Sequence, residues 1–525
     1  MKSIIALLSA FMLVAAFAAK PKKYIFTGWD INDATPREIL DHAEKFNEAG
    51  CDGVGVKLDP SCSDSVNARL HIAEYPRWSD FDLDPIKSVC SDFRKHPSLR
   101  HSFFFVNFAP RKNRLSWTDD AAWRLYADNA AVAARIAKET GFEGLIADFE
   151  DYWRKKQFRH LSDDPDWATT KKLARSRARE VFAKIFGAYP EITILAFQLL
   201  TTDTAYARKQ NPIAYMETKR DLWPSFVNGI LDVLPPKAKL VDGNESCAYM
   251  AEASRNDFYR SVRDQLVGVM PLVSTENRAK YRAQMSVSFG LYLDSYVVST
   301  NSTYYFGPVR GKRITHFEEN LRQATECADE YVWFWGEKGF YIDWPADMKE
   351  KSGDKWRSSG GGTWRRKYFE GSWGRIKPWR DTIDGDVDLV MRGLKNPVRC
   401  VLEAYERQKS SGKFRNLYTD RLEKEPCVLR TARVANVEMD GWYGVTVRGR
   451  GDVLRVRANF QDSKGWRWDL GEFQMEFPTE PIDGWHCGAM LVRVPEGATR
   501  IFLHLDSGKA KQPVKFKDLE VFRIR

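Results

Sequence analysis

The sequence predicts a (β/α)8 TIM barrel followed by a C-terminal antiparallel β-sandwich of the jelly-roll kind. Three observations predict this α/β fold class. Eight short apolar runs alternate with amphipathic segments between Tyr24 and about Trp344, which is typical of βα units around a parallel sheet. The segments between the runs carry helix-start and helix-end residues. From Cys427 onward, short alternating stretches are separated by turn residues, as in antiparallel sandwiches.

The N-terminal segment has the pattern of an export signal. Lys2 supplies a basic start, an apolar run extends from Ile4 to Phe17, and small residues at Ala16 and Ala18 suit a signal peptidase. We therefore expect residues 1–19 to be a signal peptide and the mature protein to be secreted or periplasmic. The apolar run is shorter than the ~20 residues that span a bilayer, and we expect no membrane span after signal removal.

The predicted barrel occupies residues 20–350. Helix signals separate its strands: Thr35 can cap a helix that begins at Pro36 and stops before Gly50, and Gly141 closes a second helix. A doubly wound sheet is the alternative, but no G-x-G-x-x-G follows the first strand. The predicted strands cover residues 24–30, 53–59, 101–108, 144–150, 192–200, 238–245, 288–295 and 330–337.

Two further regions follow the predicted barrel. Residues 351–426 are rich in glycine, serine and tryptophan at first and then contain a helix pattern from about Val387 to Gln408, so we expect a linker loop and a helix. Residues 427–525 form the predicted sandwich. This tail resembles a carbohydrate-binding jelly roll, which implies an accessory domain.

The fourth predicted strand ends in closely spaced carboxylates. Side chains two residues apart share a strand face, so Asp148 and Glu150 point the same way while Phe149 and Asp151 point the other. Barrel enzymes build their sites at the C-terminal ends of the strands. Two neighbouring acids that repel each other hold a proton more tightly, which suits a general acid beside a charge stabiliser. The alternative is a loop cap or an ion pair with Arg154.

Other predicted strand ends supply polar and aromatic groups. Sugar rings stack on aromatic faces, so we expect a sugar platform among them. Beyond Asp148 and Glu150, the candidate catalytic residues are Glu245 and Glu337. The candidate substrate-binding residues are Trp29, Asp30, Asn107, Tyr152, Gln198, Asp242, Tyr292 and Trp335. For Trp333, on the same face as Trp335, we favour packing inside the barrel or under a helix.

The stretch from Gly141 to Glu150 resembles the fourth-strand signature of family 18 glycoside hydrolases, chitinases and endo-N-acetylglucosaminidases, which reads G-F-D-G-x-D-x-D-x-E. Gly141, Phe142, Gly144, Asp148 and Glu150 match, whereas Glu143 and Ile146 stand where the first two aspartates belong. The resemblance implies that Glu150 protonates the glycosidic oxygen and that Asp148 orients an N-acetyl group.

The mechanism stays open at the level of sequence. A two-carboxylate mechanism needs a partner for Glu150, and Glu245 and Glu337 are the candidates, with Asp242 behind them. A separation of ~5 Å would indicate retention, and ~6.5–9.5 Å inversion. The chain is thus expected to be a glycosidase that cleaves a poly- or oligosaccharide, with anionic and amino sugars among the candidates. The alternative is a non-catalytic carbohydrate-binding protein on a degenerate barrel.

Several function classes lack their signals. The chain carries no H-E-x-x-H, G-x-S-x-G or Walker sequence, and its eight cysteines form no C-x-x-C pair. We therefore expect no cofactor and no metal site. The net charge of +10 and the pI of about 9.0 fit either an anionic partner or a solvated basic surface, and for an exported protein we expect no nucleic acid.

Overall fold

The computed structural model divides the chain into two compact units, Met1–Gly385 and Asp386–Arg525. Among the described helices, none is long and apolar enough to cross a membrane. The structure describes residues 22–28, 31, 34–58, 72–73, 77–110, 114–151, 156–203, 208–249, 255–297, 300, 304–336, 341–342, 383–418, 422, 426–475, 477, 481–508 and 512–524.

The first unit is built around a parallel sheet whose strands follow one another in chain order. Each strand pairs with the next except at one interruption, and the last pairs with the first, as Lys23↔Tyr331 and Gly28↔Gly336 show. The strands are β1 (Lys23–Gly28), β2 (Gly53–Lys57), β3 (Phe103–Asn107), β4 (Gly144–Asp148), β5 (Thr193–Ala196), β6 (Lys239–Asp242), β7 (Met285–Val287), β8 (Phe289–Tyr292) and β9 (Tyr331–Gly336).

The seventh barrel strand is interrupted at Ser288 and therefore counts as two. Its first piece, β7, pairs with β6, and its second, β8, pairs with β9. Ser288 joins both neighbours, because its backbone N–H bonds to the Asp242 carbonyl (3.1 Å) and its hydroxyl bonds to the Tyr331 carbonyl (2.8 Å). The eight predicted strands thus close into a barrel, and the predicted fold class is confirmed.

Helices lie between the barrel strands where the sequence predicts them. Thr35 accepts a bond from Glu38 N in a capping box, and Gly141 ends a long helix at φ +77°. The first predicted helix is divided at His42. The helices are α1 (Pro36–Asp41), α2 (Ala43–Glu48), α3 (Asp84–Cys90), α4 (Asp120–Thr140), α5 (Trp167–Ala188), α6 (Pro212–Lys219), α7 (Trp223–Val233), α8 (Arg255–Arg263), α9 (Arg278–Gln284) and α10 (Arg313–Cys327).

The barrel interior is filled by alternate residues of the strands. Trp333 stacks on Phe197 with ring centroids 4.3 Å apart, and its indole N–H bonds to the Gly243 carbonyl at 2.8 Å. Trp333 therefore packs inside the barrel, one of the two positions that we favoured. The interior cluster consists of Ile25, Phe103, Phe105, Ile146, Leu195, Phe197, Val241, Tyr331 and Trp333, with Trp335 against it. These residues identify the inward face of β1, β3, β4, β5, β6 and β9.

Charged groups close the N-terminal end of the barrel. Lys23 bonds to Glu143 (3.2 Å) and Glu330 (2.9 Å), and Lys239 also reaches Glu330 at 2.9 Å. His101 Nδ1 lies 2.5 Å from the Glu143 carboxylate. Burial alone would raise the pKa of Glu330, but the hydrogen bonds and charges of Lys239 and Lys23 outweigh it and lower that pKa to about 2. Glu143, at the first aspartate of the resembled signature, thus belongs to this network.

Replacing Glu330 with glutamine is expected to lower the free energy of unfolding by about 3 kcal/mol at pH 7. The basis is the lowering of the Glu330 pKa from 4.5 to about 2, with about 1.4 kcal/mol for each pKa unit. A carboxyl group whose pKa is lowered in the folded protein stabilises the fold, and this stabilisation is complete at pH values above the pKa of the same group in the unfolded chain. The difference between wild type and Glu330→Gln should therefore shrink as the pH falls from about 4.5 toward 2. Urea denaturation over this pH range measures it.

The matched control is Glu191→Gln. Glu191 pairs with Lys237 at 2.6 Å, but both side chains are more than half exposed. Exposed pairs contribute roughly 0–1 kcal/mol, so this variant should unfold nearly as wild type does. Equal effects of the two substitutions would contradict the role given to the Glu330 network.

The second unit is an antiparallel sandwich. One sheet has the order β10-β16-β12-β13, with β14 also on β12, and the other has the order β15-β11-β17. Val445, Phe460, Leu503 and Val521 are among the core residues between them. The strands are β10 (Leu429–Ala435), β11 (Trp442–Arg450), β12 (Arg455–Asp462), β13 (Gly465–Trp466), β14 (Phe473–Gln474), β15 (His486–Arg493), β16 (Arg500–Asp506) and β17 (Lys515–Arg523).

Two helices of the predicted linker belong to this second unit. They are α11 (Val387–Lys395) and α12 (Pro397–Ser410), separated at Asn396 where the sequence predicts one helix. Gly393 lies so close to Trp442 that an added Cβ would clash, and the Tyr405 hydroxyl bonds to Glu520 at 2.6 Å. The boundary between the two compact units thus falls between Gly385 and Asp386 in the sequence. Residues 351–382 of the predicted linker lie outside the described residues.

Candidate functional site

The C-terminal end of β4 carries the candidate acids. Ile146 lies in the barrel interior, so Asp148, two residues later, continues the inward face. Phe149 contacts Trp223 and Phe226 of α7, with ring centroids 4.8 and 6.3 Å away, on the side of the helices. The alternation that the sequence predicts therefore places Asp148 at the mouth of the barrel.

The ionisation of Asp148 is strongly affected by its surroundings. Burial raises the pKa of Asp148 well above its usual range, and the charges of Glu150 and, more weakly, Glu245 raise it further. The backbone N–H of Glu150 donates to Asp148 Oδ1 at 2.8 Å and opposes this rise. Asp148 therefore tends to hold a proton, and because the charges of Glu150 and Glu245 act on it, the proton belongs to the group of acids rather than to one residue.

Glu245 enters the same cluster from the loop after β6. Its backbone N–H bonds to the Phe197 carbonyl at 3.0 Å, and its carboxylate accepts a 2.8 Å bond from Gln198 Nε2. Glu245 is buried, whereas Gln198 is partly exposed. Because the charge of Glu245 acts on Asp148, three of the predicted residues converge at one end of the barrel.

A cavity of about 390 Å³ lies beside these acids. Its size is within the ~300–1,000 Å³ typical of small-molecule sites. Of the acids in the cluster Asp148, Glu150 and Glu245, Glu150 alone lines it. The lining residues are Phe149, Glu150, Asp151, Lys156, Phe158, Arg159, Gln198, Asp221 and Trp223.

An aromatic wall of the cavity was not predicted from the sequence. Phe158 and Trp223 pack edge to face at 4.7 Å, and the Trp223 indole N–H bonds to the Leu199 carbonyl at 2.7 Å. Pairing of Arg159 with Asp221 holds the loop after β4 against the start of α7. Neither Phe158 nor Trp223 lies at the end of a predicted strand. The two side chains are neighbours because the segments that carry them pair with each other.

Asp242 has a position different from the one the prediction implied. Val241 faces the barrel interior, so Asp242 faces away from it, and the side chain is fully buried. Its carboxylate accepts bonds from Leu199 N (3.2 Å), Thr201 N (2.9 Å), Thr201 Oγ1 (2.5 Å) and Asn244 N (3.2 Å). Burial raises the pKa of Asp242 despite these donors. Its carboxylate joins the ends of β5 and β6, and we assign it no contact with a ligand.

Three other predicted residues lie at strand ends. Asn107 is partly exposed and pairs in register with Asp148. Trp335 is also partly exposed and lies 5.4 Å from Phe197 and 6.1 Å from Phe105 between ring centroids. Tyr292 pairs in register with Trp335 but is buried, with its ring 5.8 Å from that of Tyr304. Asn107 and Trp335 can therefore contact a ligand more readily than Tyr292.

Four predicted site residues, Trp29, Asp30, Tyr152 and Glu337, lie outside the described residues. Their proposed roles stay predictions. Within the part of the chain that is described, no group of three or more His, Cys, Asp or Glu side chains is arranged to hold a metal ion.

Comparisons with known proteins give only distant structural likenesses. No protein-family model and no curated protein matches the chain. The structure is similar to the endo-1,4-beta-mannanase of Rhizomucor miehei (10% identity, TM-score 0.36, covering 61% of this chain and 86% of that one). It is also similar to D-psicose 3-epimerase of Clostridium cellulolyticum H10 (9%, 0.35, 72% and 98%). Likenesses at this level assign no activity to the chain.

Proposed function

We propose that the protein is an exported glycoside hydrolase that cleaves a glycosidic bond in a poly- or oligosaccharide by carboxylate acid catalysis. One observation carries this proposal. Asp148 and Glu245, from two different strand ends, lie close enough to affect each other's ionisation, and Glu150 joins them at the wall of a cavity of suitable size. Sites that hold a proton among coupled acids are suited to protonating a leaving-group oxygen.

Glu150 is the proton donor in this proposal because it lines the cavity. The pKa of Asp148 is raised, and this carboxyl group shares a proton with Glu150. Asp148 also steadies the developing positive charge or an N-acetyl group. Glu245 is the described candidate for the second carboxylate, and its bond from Gln198 (2.8 Å) fixes the direction of its carboxylate. A partner of this kind acts either as nucleophile or as base for water.

The cavity wall supports a sugar as the ligand. Phe149, Phe158 and Trp223 supply aromatic surface, and Gln198 with the charged groups supplies hydrogen-bonding partners. This combination of apolar ring faces and directed polar groups matches a pyranose ring. Lys156 and Arg159 also line the cavity, which supports including anionic sugars among the substrates tested.

The test is to incubate the purified protein with neutral, amino and sulfated glycans and measure released reducing ends. The expected result is release from at least one glycan by wild type and by Glu48→Gln, a control on the exposed side of α2. The double variant Asp148→Asn/Glu150→Gln should release none above background while still binding that glycan. Equal release by wild type and the double variant would overturn the assignment of the site.

A non-catalytic carbohydrate-binding protein is the second candidate. Ile146 favours it, because this residue replaces an aspartate of the resembled signature and lies buried in the barrel core. The same panel separates the two functions. Binding of a glycan by wild type without release of reducing ends from any member would support the binding protein and contradict the hydrolase.

Replacing Glu245 with glutamine is expected to lower the rate, because Glu245 is the second carboxylate of the proposal, and to move the alkaline limb of the remaining pH–activity profile to lower pH. The charge of Glu245 raises the pKa of Asp148, so its removal lets the coupled acids lose their proton more easily. Measuring kcat/KM across the pH range gives the position of this limb. Glu48→Gln removes the same charge far from the cluster and should leave the limb in place. A limb that moves upward in Glu245→Gln would contradict this coupling.

A further inference from the structure

The outer face of one sandwich sheet carries exposed tryptophans. The rings of Trp466 and Trp468 stack with centroids 5.0 Å apart and planes 14° apart, and the side chains are 39% and 65% exposed. Trp466 also lies 4.7 Å from Phe502 and 5.8 Å from His504 between ring centroids. Large aromatic rings held in place yet open to water commonly mark a binding surface.

A buried polar group on the same face lacks a partner. Ala458 and Phe460 point into the sandwich core, so Asn459 between them points to the outer face. Asn459 is only 4% exposed, and its Oδ1 has no hydrogen-bond partner among the described residues. Its register partner on β16 is Phe502, next to Trp466. Buried acceptors are usually satisfied, so this oxygen lacks a partner that a ligand hydroxyl could supply once the side chains covering it move aside.

Two arginines near the tryptophans are paired with carboxylates. Arg467 bonds to Asp469 (2.7 Å) and lies 3.4 Å from Asp462. Arg457 lies 3.4 Å from Glu472 and 3.1 Å from Asp506. The carboxylates beside Arg467 and Arg457 offset the charge of these two arginines, so the part of the surface that they form favours a neutral ligand over an anionic one.

The size of the aromatic surface fits one or two sugar rings. A tryptophan side chain offers about 250 Å², so the exposed fractions of Trp466 and Trp468 amount to roughly 260 Å². Stable protein interfaces bury ~800 Å² on each partner. The stacked pair is therefore much smaller than an interface with a second protein copy requires, but it matches the apolar face of a pyranose.

We propose that this sheet face is a second carbohydrate site, which binds a neutral polysaccharide with a pyranose ring stacked on Trp468. Polar groups of the face, led by Asn459, bond to the sugar hydroxyls. The site lies wholly within the second unit and does not depend on the proposed activity of the barrel.

The test uses the full chain carrying Asp148→Asn/Glu150→Gln, so that the glycan stays intact. Binding to cellulose, xylan, mannan and chitin is measured by pull-down, together with oxidative footprinting of residues 466 and 468 by mass spectrometry. We expect at least one polymer to be bound and to protect both rings. Trp468→Ala should weaken this binding at least tenfold, and Trp468→Tyr should keep most of it.

Ile482→Ala is the matched control, because Ile482 is a 71% exposed apolar residue of the same unit and its loss should change nothing. Retention of the protein without protection of the rings would place binding elsewhere and overturn the proposal. Failure to bind any of the four polymers, or a self-association that Trp468→Ala abolishes, would also overturn it. Unchanged thermal unfolding of Trp468→Ala excludes misfolding as the cause of a loss.

Discussion

Glu150→Gln is expected to lower kcat by ~10²–10⁴-fold and to leave KM within a few-fold of wild type. Glutamine has nearly the same shape as glutamate but cannot deliver a proton, and the loss of one general acid has about this magnitude. Glu150 lines the cavity and its backbone N–H holds Asp148 Oδ1 at 2.8 Å. The substitution keeps that backbone bond, so the loss should fall on the chemical step. Initial rates on the best glycan of the panel measure it.

Comparing substrates with different leaving groups distinguishes a proton donor from a residue that only supports the structure of the site. An aryl glycoside with an acidic phenol departs with little protonation, so Glu150→Gln should lose far less activity on it than on the natural linkage. Glu48→Gln should match wild type on both substrates. Equal losses on the two substrates would show that Glu150 is not the proton donor.

The sequence predicted the barrel well because each strand is a distinct apolar run between capped helices. The strand alternation also predicted that Asp148 and Glu150 share a face, and the interior position of Ile146 places that face inward. The alternation is less informative for Asp242, because the two residues before it, Leu240 and Val241, are both apolar and either could face inward. The structure shows that Val241 points inward and that Asp242 points outward.

The aromatic wall could not have been predicted in the same way. Phe158 and Trp223 are 65 positions apart in the sequence, and each lies outside the predicted strands. They meet because Arg159 pairs with Asp221 and because the Trp223 indole bonds to the Leu199 carbonyl. Loop pairings of this kind depend on tertiary contacts and leave no periodic signal in the sequence.

Asp242→Ala is expected to lower the free energy of unfolding of the barrel by about 3–5 kcal/mol. The substitution leaves the donors of Leu199, Thr201 and Asn244 without the acceptor that they share in a fully buried place. Each buried donor left unsatisfied costs about 1–3 kcal/mol, partly reduced by relaxation of the loop. Urea denaturation, followed through the transition of the first unit, measures the loss.

Asp119→Ala is the matched control, because Asp119 also accepts two backbone bonds, from Ala121 N (3.1 Å) and Ala122 N (3.0 Å), but does so at the exposed start of α4. Loss of such a cap costs about 1 kcal/mol. Asp242→Asn keeps one acceptor oxygen and should fall between the two. An Asp242→Ala loss no larger than that of Asp119→Ala would contradict the role of this carboxylate. Gln198 and Glu245 directly flank the segments that Asp242 joins. A folded Asp242→Ala protein should therefore also lose the 2.8 Å bond from Gln198 that directs the Glu245 carboxylate toward the site.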